Sequence, residues 1–428
     1  MITFPEVLFE SLKESVSIFS KYWWFFTTIV LWHTFKIAWV NYIHEKYVRE
    51  IQWDLIEVII PKEIEKRPKN MEELYSGIYS FYDVVVDTLY DIYLKGMLDA
   101  WFSFEIVSID GDIHYFIRTP VLSRKTIEAQ IYAQYPAAEI RDVEDYVLNV
   151  PNDIPNKDYE LWGTDMILAK EDAYPLRTYK EFEDTGSGEF VDTMSNIIEG
   201  VNKLQKGEQI WIQVLIRPTN DDWKKEANEL ILELIGRKKK KKSSNPFDFL
   251  IEELWDIGRY IAGGFFSTVN PAEKKDEKKD KEPPSMMLHL SPAEKDVVIA
   301  IGESTKKPAF DTCIRWIYLS KRDIFNKTKG NSIVFTYFSQ FGSKDRNSFV
   351  PDGNTKTSAY YFFTDFRKAL RKRSILRRYK RREFDKRGYA LNTEELATVF
   401  HFPTIEVKAP TVSRVEAKKG KPPAELPI

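Results

Sequence analysis

The chain has 428 residues, enough for two to three domains that each bury a core of their own. Its one cysteine, Cys313, excludes an intramolecular disulfide framework and is compatible with a cytoplasmic location. The 63 basic and 65 acidic residues leave a net charge of −2, so a charged partner must recognise a local patch rather than the whole molecule.

The N-terminal region predicts a membrane anchor. Residues 1–21 form an amphipathic segment, and residues 22–43 (YWWFFTTIVLWHTFKIAWVNYI) follow as the transmembrane anchor, 16 of the 22 being apolar or aromatic. As a helix this stretch is about 33 Å long, enough to cross a hydrocarbon core of about 30 Å. The interfacial aromatic belts would be formed by Trp23, Trp24, Trp39 and Tyr42.

Two residues, His33 and Lys36, oppose this prediction. A lysine near the middle of a span, here Lys36, costs roughly 3 kcal/mol on insertion scales. The alternative is a helix buried in a large soluble core. The basic residues flanking the stretch are evenly divided between its two ends, so charge does not orient it.

Residues 50–150 predict a first domain of mixed α and β structure. In chain order the pattern gives a strand at 52–60, a helix from Pro68, strands at 101–108 and 113–118, a helix from Ser123 to Pro136, and a strand at 140–146. Asp110-Gly111 between the middle strands is a strong hairpin-turn signal. This order is that of the split βαβ, or ferredoxin-like, fold.

A second α+β domain is predicted from residues 158–236 and 291–388. Its elements are a strand at 161–169, a helix at 190–205, a strand at 209–216, a helix at 223–235, a helix capped by Ser291-Pro292, and two apolar stretches at 313–319 and 333–338 that fit either a strand or a buried helix. The fold class is therefore α+β, with two ferredoxin-like domains following an N-terminal transmembrane helix.

A charged insert, residues 237–290, interrupts the second domain. It contains a basic run at 237–242, an amphipathic helix at 247–261 and a Lys/Glu/Asp-rich stretch at 270–284 whose composition predicts disorder. Two interpretations remain open: contact with an anionic membrane surface, or a solvated loop whose helix docks on its own domain.

Residues 362–387 predict a long helix with twelve Lys and Arg side chains, the one charge feature above the background of the chain. The residues expected to contact nucleic acid or a partner are Arg371, Lys372, Arg373, Arg377, Arg378, Arg381 and Arg382. DNA contact, docking of an acidic partner and a solvated face remain alternatives.

The sequence indicates no enzyme. It lacks the phosphate-binding pattern GxxxxGK[ST], and its five histidines fall in five separate elements without metal-ligand spacing. The string Ser304-Thr305-Lys306-Lys307 fits SxxK by form alone. We therefore expect no catalytic residues, no cofactor and no bound metal.

Four strings carry a resemblance to a known family. They are FEIVSIDGDIHYFIRTP (104–120), EAQIYAQYPAAEI (128–140), LNTEELATVFHFP (391–403) and PPAELP (422–427). Together they resemble the membrane-anchored N-terminal region that precedes TraG-like, type IV secretion-type conjugative ATPases in candidate-phylum bacteria. In that family the closing motif leads into a hexameric DNA-pumping ATPase domain, which this sequence does not contain.

The resemblance implies a bacterial inner-membrane protein with one span and its folded part in the cytoplasm. The expected function is that of a non-enzymatic accessory subunit of a DNA-transfer apparatus, which acts as the platform for a separately encoded TraG-like ATPase. Residues 389–428 would dock the partner through Asn392, Glu394, Glu395, Phe400 and Phe402. The expected partners are the membrane and this ATPase, with DNA and further copies of the chain as additional candidates. A membrane-tethered nucleic-acid-binding module is the alternative.

Overall fold

A computed structural model describes residues 4–61, 66–80, 90–98, 101–182, 190–220, 222–236, 290–384 and 388–404. Nearly all of the predicted insert, with its basic run, amphipathic helix and charged linker, lies outside these residues, and so does the chain from residue 405 onward. The predictions made for those two regions are untested by the fold.

The N-terminal region is one continuous helix, α1 (Phe4–Glu50), which covers both the predicted amphipathic segment and the predicted anchor. Its last turns pack against a single π-helical turn, Asp91–Lys95, and Val48 reaches a small apolar cluster around Trp101. Most of the other described side chains of α1, from residue 20 on, are exposed.

The first half of the folded body contains four strands and two helices. In chain order they are β1 (Trp53–Ile59), α2 (Pro68–Tyr79), β2 (Phe102–Ile109), β3 (Asp112–Pro120), α3 (Val121–Gln134) and β4 (Glu139–Asp142). The strands lie in the order β4-β1-β3-β2, and each neighbouring pair is antiparallel.

The second half repeats this arrangement. It contains β5 (Tyr159–Leu168), α4 (Ser195–Val201), β6 (Glu208–Pro218), α5 (Asp222–Leu234), α6 (Pro292–Ser304), β7 (Ala309–Lys321), α7 (Lys327–Ser339) and β8 (Phe349–Pro351). Its strand order, β8-β5-β7-β6, matches that of the first half when the strands are counted in sequence. The helices α5 and α6 lie between β6 and β7 in the sequence. The first half has only a hairpin turn at the corresponding place, between β2 and β3.

The two halves share one sheet. Strands β2 and β6 pair antiparallel from Phe102 opposite Ile216 to Ile109 opposite Gln209, which joins the halves edge to edge. A final strand, β9 (Tyr389–Asn392), pairs with the start of β7 and completes a nine-stranded sheet. The predicted α+β class is confirmed, and the two predicted regions form one continuous sheet instead of separate sheets.

Both faces of this sheet are covered. Phe104 and Ile106 of β2 face the larger core, beneath α2, α3, α4, α7 and the last helix, α9 (Thr393–Val399). Their neighbour Val107 faces a second core on the opposite side, beneath α8 (Thr364–Arg381) and a 3-10 turn at Tyr146–Asn149. Alternation of side chains along each strand explains why one strand contributes to both cores.

Several element ends agree with local sequence chemistry. Asp110 and Gly111 both have positive φ, 56° and 97°, as the predicted two-residue hairpin requires. Ser291 forms a capping box with Glu294 at the start of α6. The predicted cap at Ser123 is wrong, because α3 begins two residues earlier, after Pro120.

Three predicted elements are shorter in the structure. The helix predicted at 190–205 is α4, of seven residues, and the strand predicted at 140–146 ends at Asp142. The basic helix predicted at 362–387 begins at Thr364 and ends where Arg382 adopts a left-handed conformation, with φ of 49°. The apolar stretch at 313–319 is a strand and that at 333–338 is a helix.

Candidate functional site

The basic helix α8 lies on the sheet. Ile375, Leu376 and Tyr379 are fully buried on one side of it and pack into the second core with Trp211 and Ile317. Four of the seven basic residues predicted to contact a partner lie on or beside this inner side. Their charged groups therefore form contacts within the protein and are not free to bind a ligand.

Arg382 is the most deeply placed of these four. Its guanidinium bonds both carboxylate oxygens of Glu105, at 2.9 and 3.1 Å, and pairs with Asp145. Arg382 and Glu105 are each at most 1 % exposed. The hydroxyl of Tyr146 donates to Glu105 at 2.7 Å, and the hydroxyl of Tyr379 lies 2.9 Å from the Tyr146 hydroxyl.

The electrostatics of this cluster favour the ion pair. Burial alone would raise the pKa of Glu105, but the charge of Arg382 and the hydrogen bonds from Arg382, Ser103 and Tyr146 outweigh burial and lower that pKa to about 2. The pKa of Tyr146 is raised by burial and by the Glu105 charge. The carboxylate is thus ionised at neutral pH, and the cluster acts as an internal tie between α8 and β2.

Arg378, Arg371 and Lys372 make similar internal contacts. Arg378 bonds Asp165 of β5 at 2.6 Å, and Arg315 of β7 bonds the other oxygen of the same carboxylate at 2.7 Å. Lys372 pairs with Glu160 at 2.7 Å. Arg371 donates to the backbone carbonyl oxygens of residues 356 and 358. The predicted contact role of Arg371, Lys372, Arg378 and Arg382 is therefore corrected to a structural one.

The other three predicted residues face water. Arg373, Arg377 and Arg381 are exposed and follow one another at four-residue spacing, so they form one stripe along the outer side of α8. Among the described residues no hydrogen bond or ion pair of their side chains is found. Of the seven residues predicted to contact a partner, these three are the ones whose side chains are exposed.

The five residues predicted to dock a partner are corrected as well. Asn392, Glu394, Glu395, Phe400 and Phe402 are all buried in the protein's own core. Asn392 and Glu395 form the capping box of α9, because the carboxylate of Glu395 accepts from the Asn392 amide while the Asn392 side chain accepts from the Glu395 amide.

The other three complete the larger core and its rim. Phe400 packs edge-on against Phe104, and Phe402 contacts Tyr115 and Tyr135. Glu394 pairs with Lys180 and Lys307. No partner can reach these side chains unless the C-terminal part of the core opens.

The structure does not support the predicted transmembrane anchor. Trp23, Trp24 and Tyr42 are more than half exposed. Trp39, by contrast, donates its indole N–H to the backbone oxygen of Tyr93 at 2.8 Å, and Lys36 lies 5.4 Å from the centre of the Tyr93 ring. Within the described residues, no helix combines the length and the apolarity that a bilayer crossing requires. The Thr, His, Lys and Asn residues of α1 lower its hydropathy, as do its aromatic residues with polar tips.

An exposed aromatic segment that was not predicted from the sequence precedes α8. Tyr360, Tyr361, Phe362, Phe363 and Phe366 lie immediately before and within the first turn of α8, and all are 66–87 % exposed. The run of four consecutive aromatic residues was the available signal, and assigning Phe362 to the basic helix concealed it. We refer to these five side chains as the aromatic tip.

Metal-ligating side chains do not cluster in the described part of the chain. No group of three or more His, Cys, Asp and Glu side chains there has an arrangement that could hold a metal ion. The buried pair of His401 and Asp192, 2.9 Å apart, is closed by backbone donors from residues 194 and 404. This pair connects the segment that follows α9 to the segment that precedes α4.

The profile of a domain of unknown function, DUF8128, matches residues 44–415. The chain belongs to this family. A search of curated proteins finds no match. Because the family description assigns no activity, the resemblance to the region preceding TraG-like ATPases stays a prediction, and function has to be argued from the surfaces described above.

Proposed function

We propose that this DUF8128 protein is a non-enzymatic accessory subunit that holds a rigid α+β platform at a membrane. The observation that carries this proposal is the exposed surface of α1. Residues 30–35 are exposed at six consecutive positions, so Val30, Leu31, Trp32 and Phe35 point to different sides of the helix. Exposed apolar side chains on several sides of one helix need a covering environment.

A membrane provides that covering for this composition. Trp and Tyr favour the water–lipid interface, and threonines 27, 28 and 34 satisfy their hydroxyls by donating to carbonyl oxygens one turn earlier in the same helix. The hydropathy of α1 is below that of an ordinary span, so attachment of its aromatic part at the interface fits better than a simple crossing. We accordingly propose α1 as a tether.

The folded body suits a platform. Its two halves have the same strand order, and we propose that they are two ferredoxin-like repeats fused through β2 and β6. Their charged clusters close within the body: Glu105 with Arg382, Asp165 with Arg315 and Arg378, and Glu394 with Lys180 and Lys307. Such internal ties give a rigid body that can present surfaces to partners.

The place of this platform in a DNA-transfer apparatus rests on the sequence resemblance. Since residues 389–404 are part of the core, we propose that contact with a TraG-like ATPase is made by residues 405–428. Ending the chain after Thr404 should leave thermal unfolding of the body unchanged and abolish co-purification of the ATPase. Retained co-purification would remove this assignment without affecting the tether.

Membrane fractionation tests the tether. Replacing Leu31, Trp32 and Phe35 by Gln should release the full-length protein from the membrane pellet, while its circular dichroism and thermal unfolding stay those of the parent. A matched control replaces three exposed lysines of the body, Lys125, Lys203 and Lys206, by Gln. If the α1 variant stays in the pellet after a high-salt wash, α1 is not the tether.

The outer arginine stripe favours a second function, binding of nucleic acid. Each phosphate contact contributes about 0.9 to the slope of log K against log salt for duplex DNA. Changing Arg373, Arg377 and Arg381 to Gln should therefore flatten that slope by up to about 2.7, whereas the three-lysine control should leave it unchanged. A slope that is equal in all three proteins excludes the stripe as a DNA contact.

A further inference from the structure

The aromatic tip places five highly exposed aromatic side chains within seven residues of the chain. Tyr360, Tyr361, Phe362 and Phe363 are consecutive, and Phe366 continues the surface into the first turn of α8. Aromatic side chains of this size each offer roughly 150–250 Å², so the tip exposes on the order of 500 Å² or more. That is at least as large as the largest apolar patch on a typical monomer.

The backbone beneath the tip is held in place. Thr357 exchanges hydrogen bonds with Gly163 of β5, its amide donating at 3.1 Å and its hydroxyl oxygen accepting from the Gly163 amide at 3.1 Å. Arg371 donates to two carbonyl oxygens of the segment, and Arg367 donates to that of Tyr360 at 3.1 Å. Hydrogen bonds to the body therefore hold the backbone of this loop, while the aromatic side chains of the tip are exposed.

Two residues of the tip have an unfavourable backbone conformation. Tyr361 and Phe363 have positive φ, 68° and 55°, a region that large L-residues rarely adopt. Strain of this kind persists where surrounding contacts enforce it, and it concentrates at functional sites. Here its effect is to turn successive aromatic side chains outward.

Basic residues flank the tip in the chain: Lys356 comes four positions before Tyr360, and Lys368 two positions after Phe366. Burial lowers the pKa of Lys327, and the charges of Lys356, Lys372 and Lys368 lower it further. The acidic partners there are Glu160, paired with Lys372, and the exposed Asp365, paired with Lys368. Arg367 and Arg371 of α8 add positive charge to this region.

This arrangement suits one class of partner. Apolar rings at a protruding point, with cations set behind them, match the depth profile of a membrane interface, in which acyl chains lie below anionic headgroups. A single-stranded nucleic acid would instead require aromatic and basic residues alternating along a groove. The tyrosines, with polar hydroxyl groups, also suit the headgroup level.

We propose that the aromatic tip inserts into the interface of an anionic phospholipid bilayer, with Lys356, Lys368 and Lys327 directed to lipid phosphates. The inference rests on the proposed function in taking the platform to lie at a membrane, and it adds a second contact that fixes the orientation of the platform. In that orientation the first turn of α8 faces the bilayer.

A site-specific probe separates the tip from the tether. The only native cysteine, Cys313, is buried, so a Phe363→Cys variant of the full chain can be labelled with an environment-sensitive dye. A matched control carries the dye at Leu122→Cys, a position that is 97 % exposed on α3. Vesicles of phosphatidylglycerol mixed with phosphatidylcholine should blue-shift the emission at 363 and leave that at 122 unchanged.

Charge and ring variants sharpen the test. For vesicles of phosphatidylcholine alone, the affinity measured from the dye at position 363 should be at least about fivefold lower. The reason is that each basic residue near an anionic surface contributes about 1 kcal/mol. Lys356→Gln with Lys368→Gln should remove most of this difference. Phe362→Ser with Phe366→Ser should abolish the shift while thermal unfolding stays that of the parent.

Each contrary outcome has its own meaning. Protein that sediments with vesicles but shows no shift at 363 overturns the inference and leaves the α1 tether intact. A shift that survives the α1 substitutions supports insertion even if the tether fails. If the shift appears without vesicles as the protein concentration rises, the tip contacts a second copy of the chain. If it appears only with single-stranded DNA, the tip contacts nucleic acid. Either result overturns the proposal.

Discussion

Removing Arg382 should destabilise the protein strongly and in a way that depends on pH. In an Arg382→Met variant the carboxylate of Glu105 stays buried and loses its cation. Breaking a buried pair by removing one partner costs about 3–5 kcal/mol. The pKa gives a consistent figure: a value of about 2 in the fold, against about 4.3 unfolded, corresponds to roughly 3 kcal/mol at neutral pH.

The pH dependence follows from the sign of the shift. In the parent protein the pKa of Glu105 is depressed, so its contribution is full above about pH 4.3 and is lost as pH falls through about 2. In the variant, burial without Arg382 should raise the pKa of Glu105. As the pH falls from 7 to 4, Glu105 should therefore take up a proton, and the variant should become more stable than it is at pH 7. The difference between the two proteins should therefore be largest at pH 7 and smaller at pH 4.

Urea unfolding of both proteins at pH 7 and pH 4 measures this difference. Arg381→Met, which removes an exposed neighbour of the same charge, is the control and should change stability by no more than about 0.5 kcal/mol. The double change Glu105→Gln with Arg382→Met should recover part of the loss. A cost below about 1 kcal/mol at pH 7, or an equal cost at both pH values, would refute the assignment of this pair as an internal tie.

Three further outcomes are expected from the core. Gly330→Ala should destabilise by about 1–3 kcal/mol in thermal unfolding, because a Cβ there would lie 2.4 Å from the Tyr318 ring, whereas Gly302→Ala, with open space around it, should stabilise helix α6 by up to about 1 kcal/mol. Asp192→Ala removes three buried hydrogen bonds and should cost about 3 kcal/mol; an equilibrium loss below about 1 kcal/mol would contradict it. Burial raises the pKa of Glu395 to about 7, so its contribution to stability should fall as pH rises from about 4.3 to 7, and Glu395→Gln should remove this part of the pH profile.

Local patterns in the sequence predicted most of the body. The strands follow from alternating and continuous apolar stretches, the hairpin from Asp110-Gly111, and the start of α6 from Ser291-Pro292, since each depends on residues adjacent in the chain. The strand order of the first half also follows from that element sequence. Pairing of β2 with β6 is different, because nothing local indicates which edge of one repeat meets the other.

The site was less predictable for a related reason. Twelve basic residues in one helix look alike in the sequence, yet Arg378 and Arg382 are held by carboxylates 213 and 277 residues away. Burial of residues 389–404 likewise depends on distant aromatic residues of the first half. Exposure of the aromatic tip could have been suspected from its four consecutive rings, but a buried strand gives the same pattern.

The C-terminal return to the first repeat has a consequence for synthesis. Tyr75 of α2 donates a hydrogen bond to the carbonyl oxygen of Phe400, 325 residues later, and packs beside Phe104, which Phe400 also covers. At a translation rate of roughly 5–20 residues per second, this apolar surface stays open on the ribosome for on the order of tens of seconds. A nascent chain of this protein therefore presents a binding site for holdase chaperones until its last core residues emerge.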